Sequence, residues 1–459
     1  MKQTYSEMGL GPNWEKAFQV ADIRGVCDQE INEALAYRVA RSFVVLFKIP
    51  TMVVGCDMRL SSPAIKAAFI AGARIEGATV LDIGMVTSPM VYFMSGSEHL
   101  HAVMITASHN PANYNGLKLV LPKAIPLTNK TGLSAIKKKV KENVFQEKVQ
   151  VGELKKRSIL KSYEQYVLSK ISPHKPRLRI VVDAGNGMST LLIPLLRKYA
   201  SVTPLFAELD GTFPNRDSNP TLKKSQKQIT AFLQAGDFDL GVAFDGDGDR
   251  VAFFDEHGRY INAAHVGAFL AQAFLPLQPQ ARFVYTTLNS RIFSETIKSG
   301  GGKAIRAKVG HNFMKEQMRL HDAYFGCENS GHYYFKDNFY ADSGILTVVN
   351  VLQAVTSYRT TGSSISSVFS PFAKYTQTEE VFIRVKDKDQ TLREFGVWME
   401  KIGARVTHFD GVIIDAGEWW ASIKKSVTED GLKFVVESAT KKMALARQKE
   451  ILEFLKLHA

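Results

Sequence analysis

Short apolar runs alternate with amphipathic stretches of helical length over the first two-thirds of the chain, and this alternation constrains the fold most. Thr51–Cys56 is typical of a strand, Pro63–Glu76 of a helix, and Ala78–Ile83 and His101–Thr106 of further strands. Glycine and proline mark the ends of these segments. Because strands that alternate with helices favour a largely parallel sheet covered by helices, the sequence predicts an α/β fold.

The alternation restarts twice further along the chain. Leu178–Asp183 and Asp239–Phe244 predict strands of a second unit, and Arg282–Thr287 and Lys303–Ala307 predict strands of a third. No internal repeat of residues accompanies these restarts. The pattern therefore predicts three similar mixed α/β domains.

The pattern changes after Thr360–Thr378, a segment rich in Ser and Thr that predicts a linker. Four later runs predict an antiparallel sheet, namely Val381–Val385, Gly411–Asp415, Trp419–Lys424 and Leu432–Glu437. A basic amphipathic helix follows from Thr440. We therefore predict a C-terminal α+β domain, with the four domains at residues 1–158, 159–257, 258–368 and 369–459.

The charge of the chain points to an anionic partner. The 459 residues include 58 Lys and Arg against 45 Asp and Glu, a net charge of +13, and their 45% hydrophobic content excludes a disordered chain. Between Lys118 and Lys161, twelve Lys or Arg face three Glu without interleaved aromatic residues. That stretch favours a solvated helical face over a nucleic-acid platform, so we predict no nucleic-acid partner.

Cysteine usage and the first residues bear on the compartment. Three scattered cysteines, Cys27, Cys56 and Cys327, exclude a disulfide framework and a zinc site. The first eighteen residues contain no apolar signal region, and no apolar stretch is long enough to span a bilayer. We predict a cytoplasmic protein without a membrane partner.

The first of three polar loops follows the predicted strand His101–Thr106. It places Ser108 at the carboxyl end of that strand, where open α/β sheets bind ligands. His109 and backbone N–H groups can surround an anion there, and Lys118 adds a cation that can also transfer a proton. Taken alone, such a loop is more often a polar turn ended by Pro111.

The second loop alternates Asp245, Asp247 and Asp249 with glycine. This spacing brings three carboxylates to one side of a tight loop, where they repel one another unless a hard cation such as Mg²⁺ or Ca²⁺ neutralises them. An EF-hand is excluded because Arg250 occupies the sixth position, which must be glycine in that loop, and because both flanks are strand-like. The loop therefore predicts a divalent metal site.

The third loop carries Glu328, Ser330 and His332 between two apolar runs. A carboxylate with short polar neighbours can bind adjacent sugar hydroxyls, and a histidine can transfer a proton. A polar hairpin explains these residues about equally well. Upstream, Lys308 and His311 offer a phosphate contact at the start of a predicted helix.

In this order, the three loops resemble those of the α-D-phosphohexomutase superfamily, and within it the phosphomannomutase/phosphoglucomutase branch. The similarity extends over essentially the whole chain. Further segments that resemble signatures of this branch are Asp22–Gly25, Gly55–Ser61, Val182–Gly187, Phe213–Asn215 and the stretch 333–344. The resemblance implies three α/β domains of one type and a fourth of another type around a central cleft.

The resemblance also implies a function. It is the reversible conversion of hexose 1-phosphate to hexose 6-phosphate, with mannose or glucose as the sugar, by an intramolecular phosphotransferase. Ser108 would be the phosphoserine and would share Mg²⁺ with the three aspartates of the second loop. A bisphosphorylated sugar would turn end for end as the intermediate, and a hexose 1,6-bisphosphate would be the activator. The protein would be a monomer or a weak homodimer.

The resemblance assigns roles to further residues. Charge stabilisation and proton transfer would fall to Arg24, His109, Lys118 and His332. The phosphorylated hexose would contact Arg250, Lys308, His311, Glu328, Ser330, Lys424, Ser426 and Thr428.

Two segments depart from the pattern of these relatives. Lys424 stands where the phosphate-binding loop of the fourth domain has an arginine, and Glu429 and Asp430 replace neutral residues. A lysine cannot form the bidentate fork of an arginine, and nearby carboxylates repel phosphate. Thr287 stands where some relatives have a lysine.

These departures leave two alternatives open. One is a phosphosugar-binding homologue with weak or no turnover. The other is a phosphoglucosamine mutase, which is less favoured because the Glu328–Ser330 loop is of the glucose and mannose type.

Overall fold

The computed structural model describes residues 5–145, 150–171, 173, 177–359, 363–426 and 430–458. The chain divides into two compact units, Met1–Ile261 with Ser330–Ile365 and Asn262–Asn329 with Ser366–Ala459. We call them the first and the second unit and describe each by itself. Helices and sheets occur in both, so the predicted mixed α/β fold class is confirmed. The four-domain boundaries stay a prediction.

The first unit opens with a seven-stranded sheet of order β1-β5-β4-β2-β3-β7, in which β6 pairs with β5. Its strands are β1 (Ile23–Val26), β2 (Thr51–Cys56), β3 (Thr79–Met85), β4 (His101–Ile105), β5 (Tyr114–Leu121), β6 (Ile125–Pro126) and β7 (Leu154–Lys156). Strands β2, β3, β4 and β7 run parallel, whereas β5 is antiparallel to β1, β4 and β6. The sheet is mixed because β5 returns directly after the loop that follows β4.

The helices of this segment are α1 (Glu33–Phe47), α2 (Ser62–Ile75), α3 (Ser88–Glu98) and α4 (Leu133–Glu142). Helix α1 begins where the side chain of Asn32 accepts a hydrogen bond from the backbone N–H of Leu35 at 3.0 Å. Its apolar face buries Leu35 and Phe43 in one cluster with Phe69 of α2 and Val54 of β2. This core fixes the strands whose carboxyl ends carry the polar loops.

A five-stranded sheet of order β12-β11-β10-β8-β9 follows. Its strands are β8 (Arg179–Asp183), β9 (Ser201–Leu205), β10 (Leu240–Phe244), β11 (Val251–Phe254) and β12 (Tyr260–Ile261), and its helices are α5 (Leu160–Lys170), α6 (Ile193–Leu196) and α7 (Lys223–Ala235). Strand β8 is parallel to β9 and β10, and β11 is antiparallel to β10. The acidic loop thus joins β10 to an antiparallel β11, as the Ser108 loop joins β4 to β5.

The chain then enters the second unit with three parallel strands, β13 at the centre between β14 and β15. The elements are α8 (Ala263–Phe274), β13 (Arg282–Thr286), α9 (Arg291–Ser299), β14 (Lys303–Ala307), α10 (His311–Leu320) and β15 (Phe325–Cys327). Back in the first unit, β16 (Tyr333–Phe335) and β17 (Ala341–Asp342) form an antiparallel pair, and α11 (Gly344–Arg359) follows.

The C-terminal part of the second unit is an antiparallel sheet, as predicted, but it has six strands where four were predicted. Its elements are α12 (Ile365–Phe369), β18 (Thr376–Gln377), β19 (Val381–Ile383), α13 (Lys388–Lys401), β20 (Arg405–His408), β21 (Val412–Asp415), β22 (Trp419–Lys425), β23 (Leu432–Ser438) and α14 (Lys441–Lys456). Phe395 of α13 and Leu455 of α14 are buried in one cluster with Ile423 and Phe434 of the sheet. Both helices therefore cover the apolar face of the sheet.

The predicted linker Thr360–Thr378 is wrong as a description of this segment, of which residues 360–362 lie outside the described part. It contains α12, a short 3₁₀ turn and β18. Its apolar residues explain the difference, because the ring centres of Phe369 and Phe372 lie 4.9 and 6.0 Å from the ring centre of Phe269 on α8.

Among the described residues, no helix is both long and apolar enough for a membrane span.

Candidate active site

Ser108 is held in an unusual backbone conformation directly after β4. Its φ angle is +49°, in the left-handed region that costs a non-glycine residue free energy, and only 1% of the residue is exposed. Its backbone N–H donates to the hydroxyl of Thr106 at 2.8 Å, and its own hydroxyl donates to Asp245 Oδ2 at 2.6 Å. The hydroxyl of Ser108, the candidate nucleophile, is therefore held next to the acidic loop by a hydrogen bond.

Arg59, which follows β2, holds the serine loop by its backbone. Its guanidinium donates to the carbonyl oxygens of Ser108 at 2.9 Å, Asn110 at 2.7 Å, Pro111 at 2.6 Å and Tyr114 at 3.0 Å. The side chain is fully buried and forms an ion pair of 3.1 Å with Asp57. The guanidinium of Arg59 thus binds four carbonyl groups of the serine loop. These hydrogen bonds offset the free-energy cost of the strained backbone at Ser108.

A second buried arginine, Arg216, makes comparable contacts in the next sheet. Arg216 pairs with Asp183, at the carboxyl end of β8, at 2.7 Å and donates to the carbonyl of Phe244, the last residue of β10, at 2.7 Å. The acidic loop begins at the next residue. The serine loop and the acidic loop are therefore each anchored by an arginine whose aspartate partner lies at the carboxyl end of the neighbouring parallel strand.

The acidic loop brings its three carboxylates together as the sequence predicted. One ligand oxygen from each of Asp245, Asp247 and Asp249 lies within 4.8 Å of the others, and all three residues are buried. Glycine is required at position 246, because a Cβ atom there would lie 2.6 Å from the carbonyl oxygen of Ser108. Glycine at this position thus lets the backbones of the serine loop and the acidic loop come into contact.

Lys118 of β5 lies between two of these carboxylates. Its ammonium is 2.7 Å from Asp247 Oδ2 and 2.7 Å from Asp249 Oδ2. Burial opposes the charge on Lys118, but Asp247 and Asp249 outweigh burial and raise its pKa well above the ordinary value. Burial, with Asp249 and Asp247, raises the pKa of Asp245 well above its ordinary value. This charge distribution makes the cluster suited to a further cation beside Asp245.

The donor set of the acidic loop fits Mg²⁺. All its ligand atoms are carboxylate oxygens, which hard divalent cations prefer. Oδ1 of Asp247 is buried and has no hydrogen-bond partner, so a ligand oxygen is available. An acidic metal site is therefore consistent with the geometry.

Two arginines and a histidine surround this cluster. Arg24 of β1 donates to Asn110 Oδ1 at 2.9 Å and pairs with Asp22 at 2.6 Å. Arg250 donates to His332 Nε2 at 3.2 Å. His332 Nε2 also lies 3.3 Å from Asp249, so the histidine reaches the acidic loop.

His109 and Ser330 stand at the edge of the cluster. His109 Nδ1 lies 3.4 Å from the hydroxyl of Ser108, and burial together with Arg250 and Arg24 lowers the pKa of His109 well below its ordinary value. His109 is therefore a neutral hydrogen-bonding group beside the nucleophile. The hydroxyl of Ser330 lies 2.9 Å from His332 Nδ1, where it orients the imidazole.

The predicted sugar-binding residues of the second unit form a separate group. Glu328, after β15, is buried and accepts a hydrogen bond from the backbone N–H of Gly310 at 3.3 Å. His311 begins α10, and the ammonium of Lys308 lies 5.9 Å from the ring of Phe313. The structure thus brings Glu328 next to the start of the helix that His311 opens.

Lys424 is engaged in an ion pair. Its ammonium lies 2.7 Å from Asp410 Oδ2, which also accepts the backbone N–H of Val309 at 3.0 Å and the hydroxyl of Thr287 at 3.3 Å. Only 5% of Lys424 is exposed. Ser426 follows β22, and its backbone N–H donates to the carbonyl of Gly431. Thr428 and Glu429 lie outside the described residues.

Sequence reasoning did not identify Arg59, Arg216 and their aspartate partners as functional. Arg59 and Asp183 lay inside segments that resembled the family, but no role followed from their residue types. The one available signal was a charged residue directly after an apolar strand, because a charge there is buried only when it is paired. Nothing in the sequence around Asp410 indicated that it would pair with Lys424.

Comparisons with known proteins agree with this fold. Family models for phosphoglucomutase/phosphomannomutase, alpha/beta/alpha domains I, II and III, match residues 15–147, 160–258 and 262–375. A phosphohexose mutase of Xanthomonas campestris pv. campestris (strain B100) is 34% identical over 430 residues, 92% of this chain and 95% of that protein. A phosphomannomutase of Escherichia coli is 33% identical over 454 residues, 96% and 99% of the two chains.

A solved structure of a phosphoglucomutase/phosphomannomutase family protein from Burkholderia thailandensis has a TM-score of 0.88 at 26% identity. The match covers 97% of this chain and 98% of that one. The chain belongs to the phosphoglucomutase/phosphomannomutase family, with three α/β/α domains and a C-terminal sheet domain. The predicted enzyme class, a phosphotransferase of the mutase type, is thereby confirmed.

Proposed function

We propose that the protein interconverts hexose 1-phosphate and hexose 6-phosphate, with mannose or glucose as the sugar, through a phosphoserine and a bisphosphorylated sugar. One observation carries this proposal. The hydroxyl of Ser108 lies 2.6 Å from Asp245 within a buried loop of three aspartates and beside a buried lysine. Family membership supports the same reaction.

Asp245, Asp247 and Asp249 would hold Mg²⁺ together with an oxygen of Ser108. When bound, Mg²⁺ supplies charge neutralisation for the transferring phosphoryl group. Arg24 and Arg250 add fixed positive charge beside the same loop, and the neutral His109 donates or accepts a hydrogen bond there. The chain thus supplies position and charge, which phosphoryl transfer chiefly needs.

The transfer balances on groups of this chain. The bond between the phosphoserine oxygen and phosphorus breaks as a bond forms from phosphorus to a sugar hydroxyl oxygen, whose proton passes to a basic group. His332 is the candidate that accepts this proton. The Ser108 oxygen released from phosphorus takes a proton from Lys118, whose raised pKa keeps its ammonium protonated, and both groups return to their starting states when the reaction reverses. After the bisphosphorylated sugar has turned over, its other phosphate returns to Ser108. A hexose 1,6-bisphosphate therefore primes an enzyme that lacks the phosphoserine.

Sugar recognition is proposed for the second unit. The buried carboxylate of Glu328 would accept hydrogen bonds from adjacent sugar hydroxyls. Ser330, in the first unit, is proposed separately as a further sugar contact. Lys308 and His311 would contact phosphate, as would Lys424, Ser426 and Thr428. We further propose a cytoplasmic monomer or weak homodimer without nucleic-acid or membrane partners.

A coupled assay tests the activity. Mannose, glucose and glucosamine 1-phosphates are supplied in turn, with Mg²⁺ and a hexose 1,6-bisphosphate. We expect turnover of mannose or glucose 1-phosphate. A preference for glucosamine 1-phosphate would instead assign the phosphoglucosamine mutase alternative.

Ser108→Ala tests the nucleophile. The variant should lose at least about a thousandfold in kcat and should never carry phosphate on the peptide around residue 108 after incubation with the bisphosphate. The matched control is Ser97→Ala, which changes an exposed serine on α3. Full activity of Ser108→Ala would overturn the assignment.

A second candidate is a phosphosugar-binding homologue with weak turnover. The observation that favours it is the ion pair of Lys424 with Asp410, which occupies the cation offered to the non-reacting phosphate. Calorimetric binding of all three sugar phosphates without turnover of any would establish this candidate.

A further inference from the structure

A polar cavity lies in the second unit, and none of the residues that carry the proposed reaction lines it, although Thr287 of the lining contacts Asp410. Its volume is about 220 Å³, and residues of α9, β14, β20 and β21 line it. The charged residues of this lining are Arg291, Glu295, Lys298, Arg306, Arg405 and Asp415. We propose that it binds one phosphate group, as inorganic phosphate or a small phosphate monoester.

The charges of the lining are unbalanced in favour of an anion. Four cations face two carboxylates, and both carboxylates are engaged. Asp415 lies 2.9 Å from Arg405 and 3.6 Å from Arg291, and Glu295 accepts the hydroxyl of Tyr375 at 2.9 Å. Like charges that converge in a concave surface create a positive potential there, which an anion relieves.

Two cations remain available to a ligand. Lys298 and Arg306 form no ion pair with a carboxylate anywhere in the described part of the chain. Arg306 lies over the ring of Tyr285, with 5.6 Å between its guanidinium carbon and the ring centre, which holds the planar group at the cavity wall. A guanidinium fork and an ammonium suit the oxygens of a phosphate.

The polar floor and the volume set the size of the ligand. Thr286 and Asn289 are almost fully buried, and the hydroxyl of Thr286 donates to Asn289 Oδ1 at 2.6 Å. A volume of about 220 Å³ is below that of sites for drug-sized ligands, roughly 300–1,000 Å³, so the ligand is smaller than those.

Hydrogen bonds connect residues of the cavity walls to one another and to neighbouring residues without a ligand. Arg291 donates to the carbonyl of Gly417 at 2.7 Å, and its backbone N–H donates to Glu437 at 3.1 Å. Trp420, which also lines the cavity, donates its indole N–H to the same Glu437 oxygen. Arg291 and Trp420 are therefore already ordered, whereas Lys298 and Arg306 are exposed and become ordered when the phosphate binds.

Isothermal titration calorimetry with inorganic phosphate tests the proposal. The cavity variant is Lys298→Gln with Arg306→Gln, and the matched control is Lys303→Gln with Lys401→Gln, which removes two exposed lysines outside the cavity. We expect the cavity variant to lose one phosphate site, with affinity at least about tenfold weaker, whereas the control keeps it. Equal stoichiometry and affinity in both double variants would overturn the proposal.

A replacement variant and two further measurements complete the test. If the double variant fails to fold, as judged by near-ultraviolet circular dichroism, Arg306→Gln alone replaces it with the same expectation. The kcat/KM of the cavity variant should stay within about twofold of the unchanged protein, because the cavity has no part in transfer. A parallel titration with glycerol 3-phosphate separates the two sources, since tighter binding than phosphate assigns an ester. The calorimetric result does not depend on turnover.

Discussion

The serine and acidic loops of the first unit differ from the sugar-phosphate residues of the second unit in which groups their contacts join. Around Ser108, buried polar and charged groups are joined by hydrogen bonds and an ion pair of 2.6–2.9 Å. Arg59 donates hydrogen bonds to four carbonyl groups of the serine loop. In the second unit, Glu328 has a contact of 3.3 Å, and Lys424 is paired with an aspartate. Lys424 and Thr287, the positions at which a departure from the family pattern is expected from the sequence, both lie in the second unit.

The difference reflects two physical demands. Phosphoryl transfer succeeds only when nucleophile and charges are fixed within fractions of an ångström. Recognition of a sugar phosphate rests on several separate contacts, so one altered contact changes affinity without stopping the reaction. We therefore expect changes in the first unit to lower kcat and changes in the second unit to alter KM.

Asp247→Asn should have the largest effect. It leaves one carboxylate fewer for Mg²⁺ and breaks an ion pair with Lys118, so kcat should fall by about a thousandfold or more. Steady-state assays over a range of Mg²⁺ concentrations measure this loss. Asp237→Asn, at an exposed aspartate that pairs with Arg179, is the control and should leave kcat unchanged.

Arg59→Met should come next and should affect both activity and stability. Loss of the four carbonyl contacts should lower kcat by about a hundredfold at nearly constant KM. Asp57 would be left as an unpaired buried charge, which should lower the free energy of unfolding by about 3–5 kcal/mol. Kinetic assays and denaturant titrations measure the two effects.

The double variant Asp57→Asn with Arg59→Met separates them. Removing the unpaired charge should restore much of the stability but none of the kcat, because the loop stays without its anchor. If kcat recovers together with stability, Arg59 serves the fold and does not position Ser108.

Glu328→Gln should act on binding. The amide has one acceptor oxygen in place of two and no charge, so KM for the hexose phosphate should rise by about tenfold while kcat falls much less. Glu400→Gln, an exposed change on α13, is the control. A loss confined to kcat would place Glu328 with the transfer residues and erase the contrast between the units.

Asp410→Asn should have the smallest effect and the opposite sign. It keeps an acceptor for Val309 and Thr287 but releases the ammonium of Lys424, so KM should fall by about two- to fivefold. The left-handed backbone of Asp410, with φ of +53°, suits asparagine equally well. Steady-state KM at low and high salt measures the effect, and a raised KM would show that the carboxylate itself assists binding.

The sequence predicted the parts of the site that lie within short segments. The alternation of Asp245, Asp247 and Asp249 with glycine predicted the clustered carboxylates, and the order of the three loops predicted the family. Strands and helices could be predicted where periodicity was strong, as in β2 and α2.

What could not be predicted depends on partners distant in the chain. The four carbonyl groups that Arg59 contacts lie about fifty residues beyond it, and backbone oxygens leave no trace in residue types. The pairing of Lys424 with Asp410 likewise depends on the register of β21 and β22. The linker prediction failed because the burial of Phe369 and Phe372 outweighed the Ser and Thr residues around them.

The hydrogen bond from Ser108 to Asp245 also bears on how the chain is made. It joins residues 137 apart in the sequence, and the bond from Ser88 to Asp247 spans 159. Contacts of such separation form late, after the local elements have assembled. A growing chain therefore carries its serine loop through the synthesis of β8, β9 and β10 before the acidic residues exist. Competence for phosphoryl transfer is thus a late marker of folding, and a polypeptide that ends before residue 245 lacks it altogether.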